Sequence, residues 1–248
     1  MVAGRGSSDI TFDLFDLDGS EYDKLFSSKL KLLLALNSQE RVTWSGSHRK
    51  RPLKDTLVVP RPEQPLPVWL GTGGSPGSVY RAAELGLPMF LGILGGSPEH
   101  WAEYGHAYRT AWDKAGHTSG AADIAVAVHG FVAENDEEAR KTYLEYEINM
   151  FTTGSKEIGR PMRAPSGRSL DLERGMVFAG GPIEIANRIV QLHKLLSHSR
   201  QILQMDVGGM PHVEFLKSIE LLGTKVLPLV RQQIDDFNAE KFGEITGL

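Results

Sequence analysis

The sequence predicts a parallel α/β fold, on three observations. Apolar runs at 68–72, 88–94, 124–132 and 202–207 each lead through a turn into a helical pattern. The runs show little polar alternation, as expected for parallel strands covered on both faces. Gly-Gly-Ser-Pro follows two of them, at 73–76 and 95–98, which sets Ser at an N-cap and Pro at the first helical position.

Before these units, residues 20–36 carry Tyr22, Leu25, Phe26, Leu30, Leu33 and Leu36 at spacings of three or four, a helix with one apolar face. Ser20, ahead of Glu21 and Asp23, is the expected N-cap. A polar stretch at 37–66 holds two short strands, Arg41–Trp44 and Thr56–Val59, around the Ser45-Gly46 turn, and the prolines at 60, 62, 65 and 67 exclude helix beyond them. From there the four units run in order. Helices are expected from Ser78 to Leu85, from Pro98 to about Ala115, from near Asp136, and from His212 to Ile234. Residues 150–200 form an insertion. Its first part, through Gly181, is rich in Gly, Arg, Ser and Pro and predicts a mobile loop; its second, Pro182 to Leu196, predicts a helix. Four units are too few to close an eight-stranded barrel, and on spacing alone an open doubly wound sheet is the simpler arrangement.

Composition narrows the function. With 41% hydrophobic and 23% charged residues the chain is ordinary globular protein; its 248 residues permit one large domain or two small ones, and since α/β barrels commonly run to about 250 residues, one domain over 1–248 is expected. A formal charge of -4 argues against nucleic acid as a main partner. The absence of cysteine excludes disulfides, thiolate nucleophiles and Cys-ligated metals. No run approaches the roughly 18–20 apolar residues of a membrane span, and Met1–Ser8 has no apolar core of a signal peptide. A cytoplasmic protein is expected.

Two motifs suit an anion. In Gly4-Arg5-Gly6-Ser7 a guanidinium flanked by glycines could bind a phosphate bidentately; a flexible terminus is the alternative. Gly71-Thr72-Gly73-Gly74-Ser75-Pro76 runs from a strand into a helix N-terminus, where free N–H groups and the positive dipole end favour an anion. It lacks the lysine of a nucleoside-triphosphate loop, and a ligand-free turn is the alternative. The eight histidines include no metal-binding spacing. His129 stands out because it lies near the end of the third strand, where such folds place active-site groups, although a structural His fits equally. Gln204 and Asp206 near the end of the fourth strand have the same standing. Glu134, Asp136, Glu137 and Glu138 fit the first turn of a helix. No catalytic residue is assigned, and nothing suggests a metal.

Read together, several stretches resemble the bacterial-luciferase-like family of flavin-dependent monooxygenases. They are Gly4-Arg5-Gly6-Ser7, Leu33–Leu36, Arg41–Gly46, Pro60-Arg61-Pro62, Pro67–Gly71, Ala82–Pro88, His129–Ala133, Gly180-Gly181-Pro182 and Leu203–Gly209, in matching order and spacing from residue 2 to about 231. The resemblance implies a TIM-like (β/α)8 barrel that binds FMN at the C-terminal ends of its strands. It implies a two-component reaction as well, in which a separate flavin reductase supplies the reduced flavin, and this reacts with oxygen to oxidise a small organic substrate. It also implies that Arg5, with Gly73, Gly74 and Ser75, holds the flavin phosphate, and that residues 150–181 are a mobile active-site loop. An F420-dependent oxidoreductase and a non-catalytic flavin-binding remnant are the alternatives.

Only Val2-Ala3 precedes Gly4-Arg5-Gly6-Ser7, where the family has three strands more. The expectation is an incomplete barrel, from about the end of strand 4 to strand 8 with the insertion between strands 7 and 8. At about 30 residues per unit, roughly 100 are absent, either through an internal methionine read as the start or in a true remnant. Unpaired sheet edges would then favour association, including into homo-oligomers.

Overall fold

The computed structural model describes residues 1–4, 10–46, 48–157 and 175–246. The chain divides into two compact units, residues 1–71 and 72–248.

In the first unit, β1 (Val2–Ala3) pairs in parallel with β4 (Trp69–Thr72) through Val2↔Trp69 and Ala3↔Leu70. After the short α1 (Ile10–Leu14) comes α2 (Tyr22–Ser38), which buries Leu30 and Leu32. Its C-terminal carbonyls are covered by Arg61, which donates to Leu36 O at 2.8 Å and Asn37 O at 3.1 Å. Asn37 in turn exchanges two hydrogen bonds with the backbone of Leu66, fixing the proline-rich return. An antiparallel hairpin is formed by β2 (Arg41–Trp44) and β3 (Leu53–Leu57).

In the second unit the central strand is β6 (Ile124–Val132), of which only Ala127 is not fully buried. It pairs in parallel with β5 (Met89–Ile93) on one edge and β8 (Arg200–Gln204) on the other. Beyond the reach of β5, Gly130–Val132 pairs in parallel with β7 (Phe178–Gly180). The helices are α3 (Pro76–Glu84), α4 (Pro98–Ala115), α5 (Asp136–Glu157), α6 (Pro182–Leu196), α7 (His212–Leu221) and α8 (Leu227–Thr246). Side chains alternate across a strand, so helices cover both faces of β6. Ile124 lies against Gly105 of α4, while Phe131, of opposite parity, joins Ala139 and Tyr143 of α5 in a buried cluster with Val177, Ala179, Val207 and Met210. This two-sided cover explains the continuous apolar run. The result is mixed α/β with parallel strand–helix units, and the described strands close no barrel.

Several local expectations are corrected. Asp18, not Ser20, is the cap: its carboxylate accepts from Ser20 N at 2.8 Å and starts a 3-10 turn, Gly19–Glu21, that feeds α2. Both residue types accept such a bond, so the sequence did not separate them. The second hairpin strand lies at 53–57, because Trp44 pairs with Leu53 across a loop longer than Ser45-Gly46. The last strand ends at Gln204, and 205–209 is its exit turn. The stretch expected as loop through Gly181 contains β7, wholly buried against β6, and α5 runs on to Glu157; the rest of that stretch, 158–174, lies outside the described residues. The expected helix from His212 to Ile234 continues to Thr246 through one π turn, Leu222–Val226. No helix among the described residues is long and apolar enough to cross a membrane.

Candidate functional site

Because β5, β6 and β8 are parallel, their C-terminal ends lie on one side of the second unit. Two glycine turns and a buried polar chain gather at that end. The first turn contains Gly73, Gly74 and Ser75. Gly74 has φ +92, a conformation costly for any residue with a Cβ, and a Cβ there would also come within 3.2 Å of the Trp101 ring. At Gly73 a Cβ would meet none of the described residues within 4 Å. Ser75 caps α3, its Oγ accepting from Ser78 N at 3.4 Å, and Pro76 follows at the first position. Ser78 Oγ donates to Ser75 O at 2.7 Å and lies 2.9 Å from Ser75 Oγ, which ties the first turn of the helix to its cap.

The second turn, Gly95-Gly96-Ser97, repeats the design: Gly96 has φ +91, and Ser97 Oγ accepts from His100 N at 3.3 Å. One helix holds both turns. Tyr104 Oη of α4 donates to Gly74 O at 2.7 Å, and Trp101 Nε1 donates to Gly95 O at 2.9 Å. A trans peptide is planar with its C=O and N–H opposed. With the Gly74 carbonyl drawn towards α4, the Ser75 N–H points away from it, out of the turn. The repeated Gly-Gly-Ser-Pro is thus a pair of caps whose donors are aimed by aromatic side chains of a third element. The sequence showed the caps; Trp101 and Tyr104, one turn apart on a helix, gave no sign of their targets.

The polar chain starts at His129. Its Nδ1 lies 3.2 Å from Tyr143 Oη, which donates to Glu147 Oε1 at 2.8 Å. His129, Tyr143 and Glu147 are 7%, 0% and 1% exposed. Tyr143 and Glu147 are four residues apart, on the α5 face that Ala139 also occupies. His129 was singled out by its place on the strand; its two partners were missed, although their spacing with Ala139 marks a buried helix face.

Of the other expected residues, Arg5 lies outside the described residues. Gln204 pairs in register with His129 but is exposed, as is Asp206. The acidic cluster opens α5 as expected, and Asp136 also links two helices. Its Oδ1 accepts from Gly181 N at 2.7 Å, joining the start of α5 to that of α6. No group of three or more metal-ligating side chains occurs among the described residues.

A family model described as luciferase-like monooxygenase matches residues 1–199. No curated protein sequence matches the chain. Among solved structures, the chain is similar to the monooxygenase RslO1 from Streptomyces bottropensis, with 22% identity and a TM-score of 0.73, over 92% of this chain and 67% of that one. It is similar to the oxygenating constituent of 3,6-diketocamphane monooxygenase from Pseudomonas putida, in complex with FMN, with 15% identity and a TM-score of 0.65, over 93% and 70%. A third is the coenzyme F420-dependent tetrahydromethanopterin reductase from Methanopyrus kandleri, with 17% identity and a TM-score of 0.62, over 92% and 73%. At these identities the likeness concerns the fold, and the chain spans about two thirds of the first structure's length.

Proposed function

The chain belongs to the luciferase-like monooxygenase family, and on that premise we propose that it is an FMN-dependent monooxygenase acting on a small organic substrate. The observation that carries the cofactor reading is the Gly73-Gly74-Ser75 turn, which no described residue fills beside Gly73 and whose Ser75 N–H is directed away from α4 by the Tyr104 tether. Such a turn at a helix N-terminus suits a phosphate monoester. Arg5, Gly73, Gly74 and Ser75 would hold the flavin phosphate, Arg5 supplying the charge and the turn supplying N–H donors. When bound as reduced FMN, delivered by a separate flavin reductase, the cofactor supplies the electrons that activate oxygen. This chain's own residues bind and orient it and exclude water.

In this reading the part of residues 150–181 between α5 and β7 serves as the active-site loop, and residues 1–248 form one cytoplasmic domain of (β/α)8-barrel type. Association into homo-oligomers through open strand edges belongs to the same reading.

A second reading is favoured by the F420-dependent reductase among the structural neighbours: the same turn would accept the phosphate of F420, and the absorbance of the bound cofactor separates the two. A non-catalytic flavin-binding remnant would bind FMN yet form no product with a reductase supplied.

Arg5→Ala should weaken FMN by about 10–100-fold, the worth of a hydrogen-bonded charge, and leave riboflavin unchanged, as read by flavin fluorescence quenching. Equal losses for both ligands would remove Arg5 from the phosphate site.

A further inference from the structure

Three rings at the start of α4 bear on the two glycine turns. Trp101 and Tyr104 lie with centroids 5.3 Å apart, tilted by 39°, and the His100 ring stands edge-on to them at 5.5 and 5.3 Å. Trp101 is buried, and its indole reaches both turns. At one end Nε1 donates to Gly95 O, and a Cβ on Gly96 would come within 3.3 Å of that nitrogen. At the other end Cη2 would lie 3.2 Å from a Cβ on Gly74. Tyr104, one turn later on the same face, donates from Oη to Gly74 O at 2.7 Å. Because α4 itself starts from the second turn, capped by Ser97, the two rings carry the placement of one turn over to the other.

The Gly74 carbonyl and the Ser75 N–H belong to one planar peptide and point in opposite directions. An N–H that faces a phosphate attracts it, and a carbonyl in its place repels it. Full reversal of this peptide is already costly, since it would carry Ser75 from φ −90 into the left-handed region. What remains is rocking about the bonds on either side, which glycine at 74 leaves soft. The Tyr104 hydroxyl holds the carbonyl end and removes that freedom, while the packed Trp101 ring keeps the hydroxyl from swinging away. Donors fixed before the ligand arrives bind it more tightly than donors that must be ordered on binding.

We propose that Tyr104 is a positioning residue for the flavin phosphate, braced by Trp101. It sets how strongly the site prefers a phosphate monoester to the same ligand without its phosphate. The inference rests on the reading of Gly73, Gly74 and Ser75 as the phosphate site. Tyr104 acts through the turn, so loss of its hydroxyl falls on the phosphate and spares the ring system of the flavin.

The test compares FMN and riboflavin binding by the full chain and by Tyr104→Phe, read by flavin fluorescence quenching. Phenylalanine keeps the ring against Trp101 and removes only Oη. FMN should bind the variant about 10-fold more weakly, near the upper end for one hydrogen bond, with riboflavin unchanged. Equal losses for both ligands would make Tyr104 a merely structural residue and overturn the proposal. A wild-type preference for FMN that Tyr104→Phe leaves intact would also overturn it, with the phosphate site still standing. A wild-type chain that binds FMN and riboflavin equally would overturn the phosphate reading and the proposal together.

Discussion

Gly208→Ala should destabilise the second unit by about 4 kcal/mol or more, at the upper end of single-substitution effects. Two causes act together. Gly208 has φ +63, and a Cβ there would overlap the Tyr146 carbonyl of α5. The obstacle is helix backbone, so no rotamer change relieves it; the turn after β8 would have to lift from α5. That would also break the hydrogen bond from Asn149 Nδ2 to Gly208 O and open the cluster in which Val207 and Met210 pack on Tyr143. Gly209 separates the two causes. Its φ is +75, but among the described residues a Cβ would meet only the Asn149 side chain, 3.8 Å away. Gly209→Ala should therefore cost about 1 kcal/mol, the left-handed penalty alone. Urea denaturation followed through hydrogen exchange of α5 amides measures both. Similar losses in the two variants would mean that the turn does not approach α5 as described.

The second large effect depends on pH. His198, 5% exposed between α6 and β8, has its imidazole pushed down from 6.5 to about 4 by burial first and by the neighbouring His193 next. Its Nδ1 has no hydrogen-bond partner among the described residues. The unfolded chain takes up this proton near pH 6.5, and the folded chain does so only near 4. Stability from the neutral ring is thus complete above about pH 6.5 and falls as pH drops, by about 1.4 kcal/mol per unit and about 3 kcal/mol in all. His198→Gln should flatten the stability curve between those limits. An unchanged slope would show that another group sets it.

Long elements with a consistent environment were legible in the sequence. The bounds of β6 and α6 follow from an uninterrupted apolar run and from Pro182 at a helix start. The two Ser-Pro caps were equally plain. What was hidden depends on partners distant in the chain. The three residues of β7 carry no periodicity and form a strand only because Gly130–Val132 extends past β5. Tyr104 meets Gly74 thirty residues earlier, and Tyr143 meets His129 from a helix whose start near Asp136 was legible but whose contact with the strand was not. The turn at 73–75 leads into a helix capped by Ser75, as Gly-Gly-Ser-Pro suggested, while Arg5 entered through family resemblance and lies outside the described residues.

The central claim is that this chain holds FMN by its phosphate. Titration of the purified chain with FMN, against riboflavin as the control without phosphate, tests it most directly. Quenching should show FMN binding about 100-fold more tightly than riboflavin, as charge-assisted hydrogen bonds to a dianion require. A folded sample that binds both equally, or neither, would contradict it.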